Sequence, residues 1–117
     1  MRVLIVEDMP AEAETFADLV SQHGHQPIVV RSAEAALDSL TVSPPDAILL
    51  EMYLPGMSGL EFLRVLSERR QRLPVVAMSG VVSEAEARQS LKLGAVEFLP
   101  KPLGLGQLGV VLDFLEL

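Results

Sequence analysis

The chain contains no cysteine and no tryptophan, and aromatic residues make up only 4% of it. Without cysteine there are no disulfides, no thiolate zinc sites and no thiol nucleophiles. Two histidines leave little for a His-based metal site, so any ion is expected to sit among oxygen ligands. Excess positive charge is also missing. The formal net charge of −7 opposes nucleic-acid binding by this domain. Its nearest basic run, Arg69, Arg70 and Arg72, reads as a solvated helix end that complements the helix dipole, in preference to a phosphate-binding patch. No apolar stretch approaches the roughly 20 residues needed to cross a bilayer. The opening Met1 to Val6 is too short and too quickly acidic for a secretory signal. A soluble, cytoplasmic protein without a membrane partner is expected.

What the chain does have is apolar residues in a regular pattern. With 117 residues, 50% of them hydrophobic, it can bury one ordinary core, and one domain over residues 1–117 is expected. Five strand-then-helix units follow one another. Arg2 to Val6 is a short apolar strand, and Pro10 to His23 is helical, with Ala13, Phe16, Leu19 and Val20 on one face and Gly24 at the exit. Pro27 to Val30 is the second strand, and Ser32 caps a helix from Ala33 to about Leu40. Pro44 and Pro45 end that unit. Asp46 to Leu50 is the third strand, followed by a helix from Gly59 to about Arg70 with Leu60, Leu63 and Leu66 inward. Pro74 to Met78 is the fourth strand, and Ser83 with Glu86 predicts a capping box for a helix ending near Leu93, before Gly94. Val96 to Leu99 is the fifth strand. Leu105, Leu108, Leu112 and Leu115 mark a last helix, weakened by about 1 kcal/mol for each of Gly104, Gly106 and Gly109 that is helical. Nearly continuous apolar strands alternating with helices imply an α/β fold, a doubly wound parallel sheet covered on both faces.

In such a sheet the C-terminal ends of the strands share one edge. Glu7 and Asp8 end the first strand, Glu51 the third and Ser79 the fourth, and Lys101 follows the fifth. Three carboxylates, a hydroxyl and an amine therefore converge in one cleft. The carboxylates repel one another, and a hard divalent cation such as Mg²⁺ together with the Lys101 ammonium relieves that repulsion. Ser79 and Lys101 suit phosphate oxygens, one by hydrogen bond and one by charge. Each residue also has a plainer reading. Glu7 and Asp8 favour the positive end of the next helix, Ser79-Gly80 suits a turn, and Lys101 alone is a surface lysine. Phe98 alone is core, and Tyr53 alone is loop packing.

Taken in order, these motifs resemble the receiver domains of two-component response regulators over essentially the whole chain. The resemblance implies a flavodoxin-like (βα)5 fold with strand order 2-1-3-4-5 and a Mg²⁺ site at Glu7, Asp8, position 51 and the backbone carbonyl of Tyr53. It further implies phosphate contacts from Ser79 and Lys101, a cis peptide before Pro102, and Phe98 as the aromatic that turns inward or outward with the state of the site. Partners implied are a histidine kinase or phosphotransfer protein, and a homodimer or effector contact through the 84–117 face.

At the phospho-acceptor position the family has Asp, whereas this chain has Glu51. Glu reaches one methylene farther, roughly 1.5 Å, so its carboxylate falls where part of a phosphoryl group would lie. A misplacement of about 1 Å can cost on the order of 100-fold in an in-line displacement, so phosphotransfer is expected to be weak or absent. Glu51 mimics the reach of a phosphorylated Asp but not its additional charge, about 1.5 to 2 units for a phosphoryl group. A regulated or permanently biased interaction module fits this pattern, as does a receiver into which Glu was introduced to mimic activation or prevent phosphorylation. An alternative from another class is a small Mg²⁺-dependent phosphohydrolase with a carboxylate nucleophile. Haloacid-dehalogenase-type enzymes need Asp-x-Asp after the first strand and a cap domain, and this chain has Glu7-Asp8-Met9. The expectation is a non-enzymatic module.

Overall fold

A computed structural model describes every residue except Val82 and the side chain of Leu105. The Leu105 position of the last helix's apolar pattern therefore lies outside the described residues. Among the described residues ten elements alternate: β1 (Arg2–Val6), α1 (Pro10–Gln22), β2 (Gln26–Val30), α2 (Ala33–Val42), β3 (Ala47–Glu51), α3 (Gly59–Glu68), β4 (Val75–Ser79), α4 (Glu84–Lys92), β5 (Glu97–Pro100) and α5 (Leu105–Glu116). The predicted elements are all present, with β3, β4 and β5 each displaced by one residue toward the C-terminus. That displacement puts Glu51 and Ser79 inside their strands instead of just beyond them.

The five strands are parallel, in the order β2-β1-β3-β4-β5. Alternation along each strand splits the core into two layers. Leu4, Val6, Ile48, Leu50 and Ala77 face α2 and α3, where Phe62, Leu63 and Leu66 fill the space. Val3, Ile5, Leu49, Val76 and Met78 face α1 and α5, meeting Phe16, Leu19, Val20, Leu108 and Leu112. β1, β3 and β4 are covered on both faces, whereas β2 and β5 form the sheet's edges and are partly exposed. On α3 the sequence reading missed Phe62, which is fully buried, and placed Leu60 inward although it is only partly buried.

Local chemistry explains where the helices start and stop. Ser32, Ser58 and Ser83 each cap a helix by accepting a backbone N–H at the third helical position. The predicted capping box at α4 is only half formed, because the Glu86 side chain does not return to Ser83 and instead accepts the Tyr53 hydroxyl at 2.6 Å. Gly59 opens α3 for a steric reason: a Cβ there would lie 2.7 Å from the Met52 Cα. Helices α1, α3 and α4 close with the same pair of backbone bonds, Gly24 to Ser21 with His25 to Val20, Arg70 to Ser67 with Gln71 to Leu66, and Gly94 to Leu91 with Ala95 to Ser90. The left-handed residue is glycine in two of them and Arg70, at φ 54°, in the third. The sequence reading ran α3 to about Arg70 because no glycine marked this stop. Arg69, Arg70 and Arg72 are exposed around that exit.

Candidate functional site

The parallel sheet brings the ends of β1, β3, β4 and β5 to one edge, and Lys101 lies at the centre of what gathers there. Its backbone N–H donates to the Ser79 carbonyl at 2.8 Å, and the peptide bond to Pro102 is cis. Its side chain is 10% exposed and passes over the Phe16 ring, with Nζ 5.5 Å from the ring centre. From there Nζ donates to Glu7 Oε1 at 2.6 Å, makes a still shorter contact with Glu12 Oε2, and lies 2.9 Å from Glu51 Oε2. Beside the lysine, Thr15, Phe16, Pro102 and Leu103 line a cleft of about 420 Å³.

Three carboxylates thus share one ammonium, and each responds differently. Glu7 is completely buried, and its backbone N–H extends the β1–β2 ladder to the Val30 carbonyl at 3.1 Å. Loss of solvation pushes its carboxyl up from 4.5 to about 7, against the pull of Lys101. Burial also raises Glu51, opposed by Lys101 and by the backbone amide of Tyr53. Glu12 is more open, and the hydrogen bond from Lys101 holds it below the usual carboxylate range. Burial alone would lower Lys101, but Glu12, Glu7 and Glu51 together raise it above an ordinary lysine.

The other sequence-predicted residues are placed as follows. Asp8, the next residue after Glu7, is half-buried. Ser79 is fully buried, and its hydroxyl donates to the Val81 carbonyl at 2.9 Å while accepting the Val81 N–H at 3.1 Å. Both bonds stay within its own loop, which is the turn chemistry weighed from the sequence. Phe98 is partly buried and packs against the core layer beneath α2 and α3. Tyr53 is 47% exposed, and its hydroxyl reaches across to Glu86 on α4. Glu12 was missed by sequence reasoning. Pro10 begins α1 and puts Glu12 in the first turn, facing the same edge as the loops, and that position was the available signal.

The donor set is oxygen-only, which suits Mg²⁺ in preference to a softer ion. Glu51 Oε2 is buried and, despite its closeness to Nζ, has no hydrogen bond of acceptable geometry among the described residues. An oxygen of that kind has ligating capacity to spare. A hard cation held here would have to displace the lysine already paired to the same carboxylates.

Comparison with known proteins bears on the fold and the family. Residues 3–113 match the family described as the response regulator receiver domain. The response regulator MprA of Mycobacterium avium is 32% identical over 108 residues, covering 92% of this chain and 47% of that protein. The sensory/regulatory protein RpfC of Xanthomonas campestris is 34% identical over 107 residues, covering 88% of this chain and 15% of its own length. The chain thus spans about half the length of the first curated relatives it matches or less. Among solved structures, the BeF3-activated N-terminal receiver domain of Klebsiella pneumoniae RstA superposes with a TM-score of 0.90 at 25% identity, over 97% of both chains. From the strand order, the site at the strands' C-terminal edge and these matches, the chain belongs to the response regulator receiver domain family of two-component signalling.

Proposed function

We propose that this chain is a receiver domain that does not take up phosphate efficiently and acts as an interaction module, not as an enzyme. The observation that carries this reading is the 2.9 Å approach of the Glu51 carboxylate to Lys101 Nζ. The lysine that would hold an incoming phosphoryl oxygen is already paired inside the protein, with Glu7 and Glu12 as further partners. Glu51 in addition carries its carboxylate past the point from which an aspartate would attack. Deficiency is favoured over mimicry because the Ser79 hydroxyl is committed to Val81 and Phe98 packs on the core. Neither group is drawn toward Glu51.

Glu7, Asp8, Glu51 and the Tyr53 carbonyl are the residues that would hold Mg²⁺. The ion's chemistry there would be to neutralise clustered carboxylates and the charge of a phosphoryl group. Partners of the module would be a histidine kinase or phosphotransfer protein at the site edge, and a second copy or an effector on the α4-β5-α5 face. Leu91 of α4 and Val110 and Phe114 of α5 are exposed, as is Val96 just before β5.

Incubation with radiolabelled acetyl phosphate and Mg²⁺ tests the reading. Negligible stable label is expected on this chain, and Glu51→Asp is expected to restore labelling by on the order of 100-fold. Strong labelling of the unmodified chain would sink the proposal.

A further inference from the structure

Far from the carboxylate edge, at the N-terminal end of the sheet, a second group of potential ligands converges. His25 follows the left-handed exit of α1 and leads into β2, and its backbone N–H closes that exit on the Val20 carbonyl. Its side chain is only 3% exposed. The Met1 amino nitrogen lies 3.0 Å from Nδ1 and fixes the ring. Nε2 is buried and has no hydrogen-bond partner among the described residues. It points at α5, where Asp113 and Glu116 share a face at i, i+3 spacing. Glu116 Oε2 lies 3.6 Å from Nε2, beyond hydrogen-bonding range, and one oxygen from each acid lies within 4.8 Å of the other two ligand atoms.

A buried imidazole nitrogen without a partner is uncommon in folded proteins, and two exposed acids facing it give it a purpose. We propose that His25, Asp113 and Glu116 form a binding site for a divalent transition-metal ion of the zinc class. One imidazole nitrogen and two carboxylates match zinc's ligand preference, and an all-oxygen ion such as Mg²⁺ would not select them. Ligand bonds of about 2.0 to 2.2 Å in a tetrahedron put ligand atoms roughly 3.3 to 3.6 Å apart. The His25–Glu116 separation is already near that value, and the exposed carboxylates can close the rest by rotation about their own side-chain bonds. Three protein ligands leave the fourth position for water. Coordination through Nε2 requires that nitrogen to be unprotonated, so uptake of the ion releases a proton to solvent. The ion would staple the last turn of α5 to the start of β2. That links the helix at the output face to a metal, independently of the site around Lys101.

The test is a calorimetric titration of the 117-residue chain with zinc chloride in excess magnesium chloride, paired with nuclear magnetic resonance of the His25 ring. One equivalent of zinc is expected to bind and to shift the ring signals of His25. Asp113→Asn with Glu116→Gln, both at exposed positions, is expected to weaken binding by about tenfold or more. His25→Gln should abolish it, with circular dichroism to verify folding. Glu51→Gln should leave it unchanged. No uptake of zinc, equal affinity in the Asp113/Glu116 variant, or loss in Glu51→Gln with the His25 signals unmoved would each overturn the proposal.

Discussion

Glu7 and Glu12 lie on the same ammonium yet shift in opposite directions, because Glu7 is fully buried and Glu12 is not. A carboxyl raised from 4.5 to about 7 binds its proton more tightly in the folded chain than in the unfolded one. Stability from this group is therefore present below about pH 4.5 and declines as pH rises through about 7. Glu12, lowered in the folded state, works the other way, with a contribution present above its ordinary 4.5 and lost as pH falls below it. Urea unfolding at several pH values should show Glu7→Gln flattening the decline between pH 4.5 and 7, and an unchanged slope would assign that titration to another group. The strand-end carboxylates, Ser79 and Lys101 were legible in the sequence because parallel topology puts strand ends together. The direction each side chain takes was not. Lys101 could have reached outward or inward, and only the combined positions of Glu7, Glu12 and Phe16 decide that it turns in.

At the level of elements, the glycines of α5 were read as a common weakness, and their surroundings separate them. A Cβ on Gly109 would lie 2.3 Å from the His23 ring, whereas one on Gly106 would meet nothing among the described residues within 4 Å. Gly106→Ala should stabilise the domain by about 1 kcal/mol through helix propensity. Gly109→Ala should cost about 1 to 3 kcal/mol, since the imidazole wedged between α1 and α5 must move. Paired urea denaturation curves check the contrast, and equal effects would remove the steric argument. The stop of α3 offers a similar comparison. Arg70 occupies the left-handed position that Gly24 and Gly94 fill elsewhere, so Arg70→Gly should raise stability by up to about 1 kcal/mol in thermal melts. Helix starts were readable from Ser32 and Ser83. The end of α3 was not, because its backbone motif closes without the residue that usually marks it.

For the molecule as a whole, the order of apolar runs was enough to imply the doubly wound sheet, and the flavodoxin-like strand order followed from the family resemblance. Among the described residues no helix is long and apolar enough to cross a membrane. The exposed α5 residues Val110 and Phe114, 69% and 71% accessible, lie four apart on one face and form the apolar centre of the proposed contact surface. Phe114→Glu should shift sedimentation toward a slower species without lowering thermal stability, and an unchanged sedimentation profile would remove that face from self-association. The enclosure of Lys101 has a separate consequence for ionic strength. Added salt screens exposed charges beyond a Debye length of about 8 to 10 Å but reaches a buried cluster poorly. A chain of net charge −7 should meet its partners at rates that change with salt. The pairing of its central lysine should not change, so the two can be separated by adding sodium chloride alone.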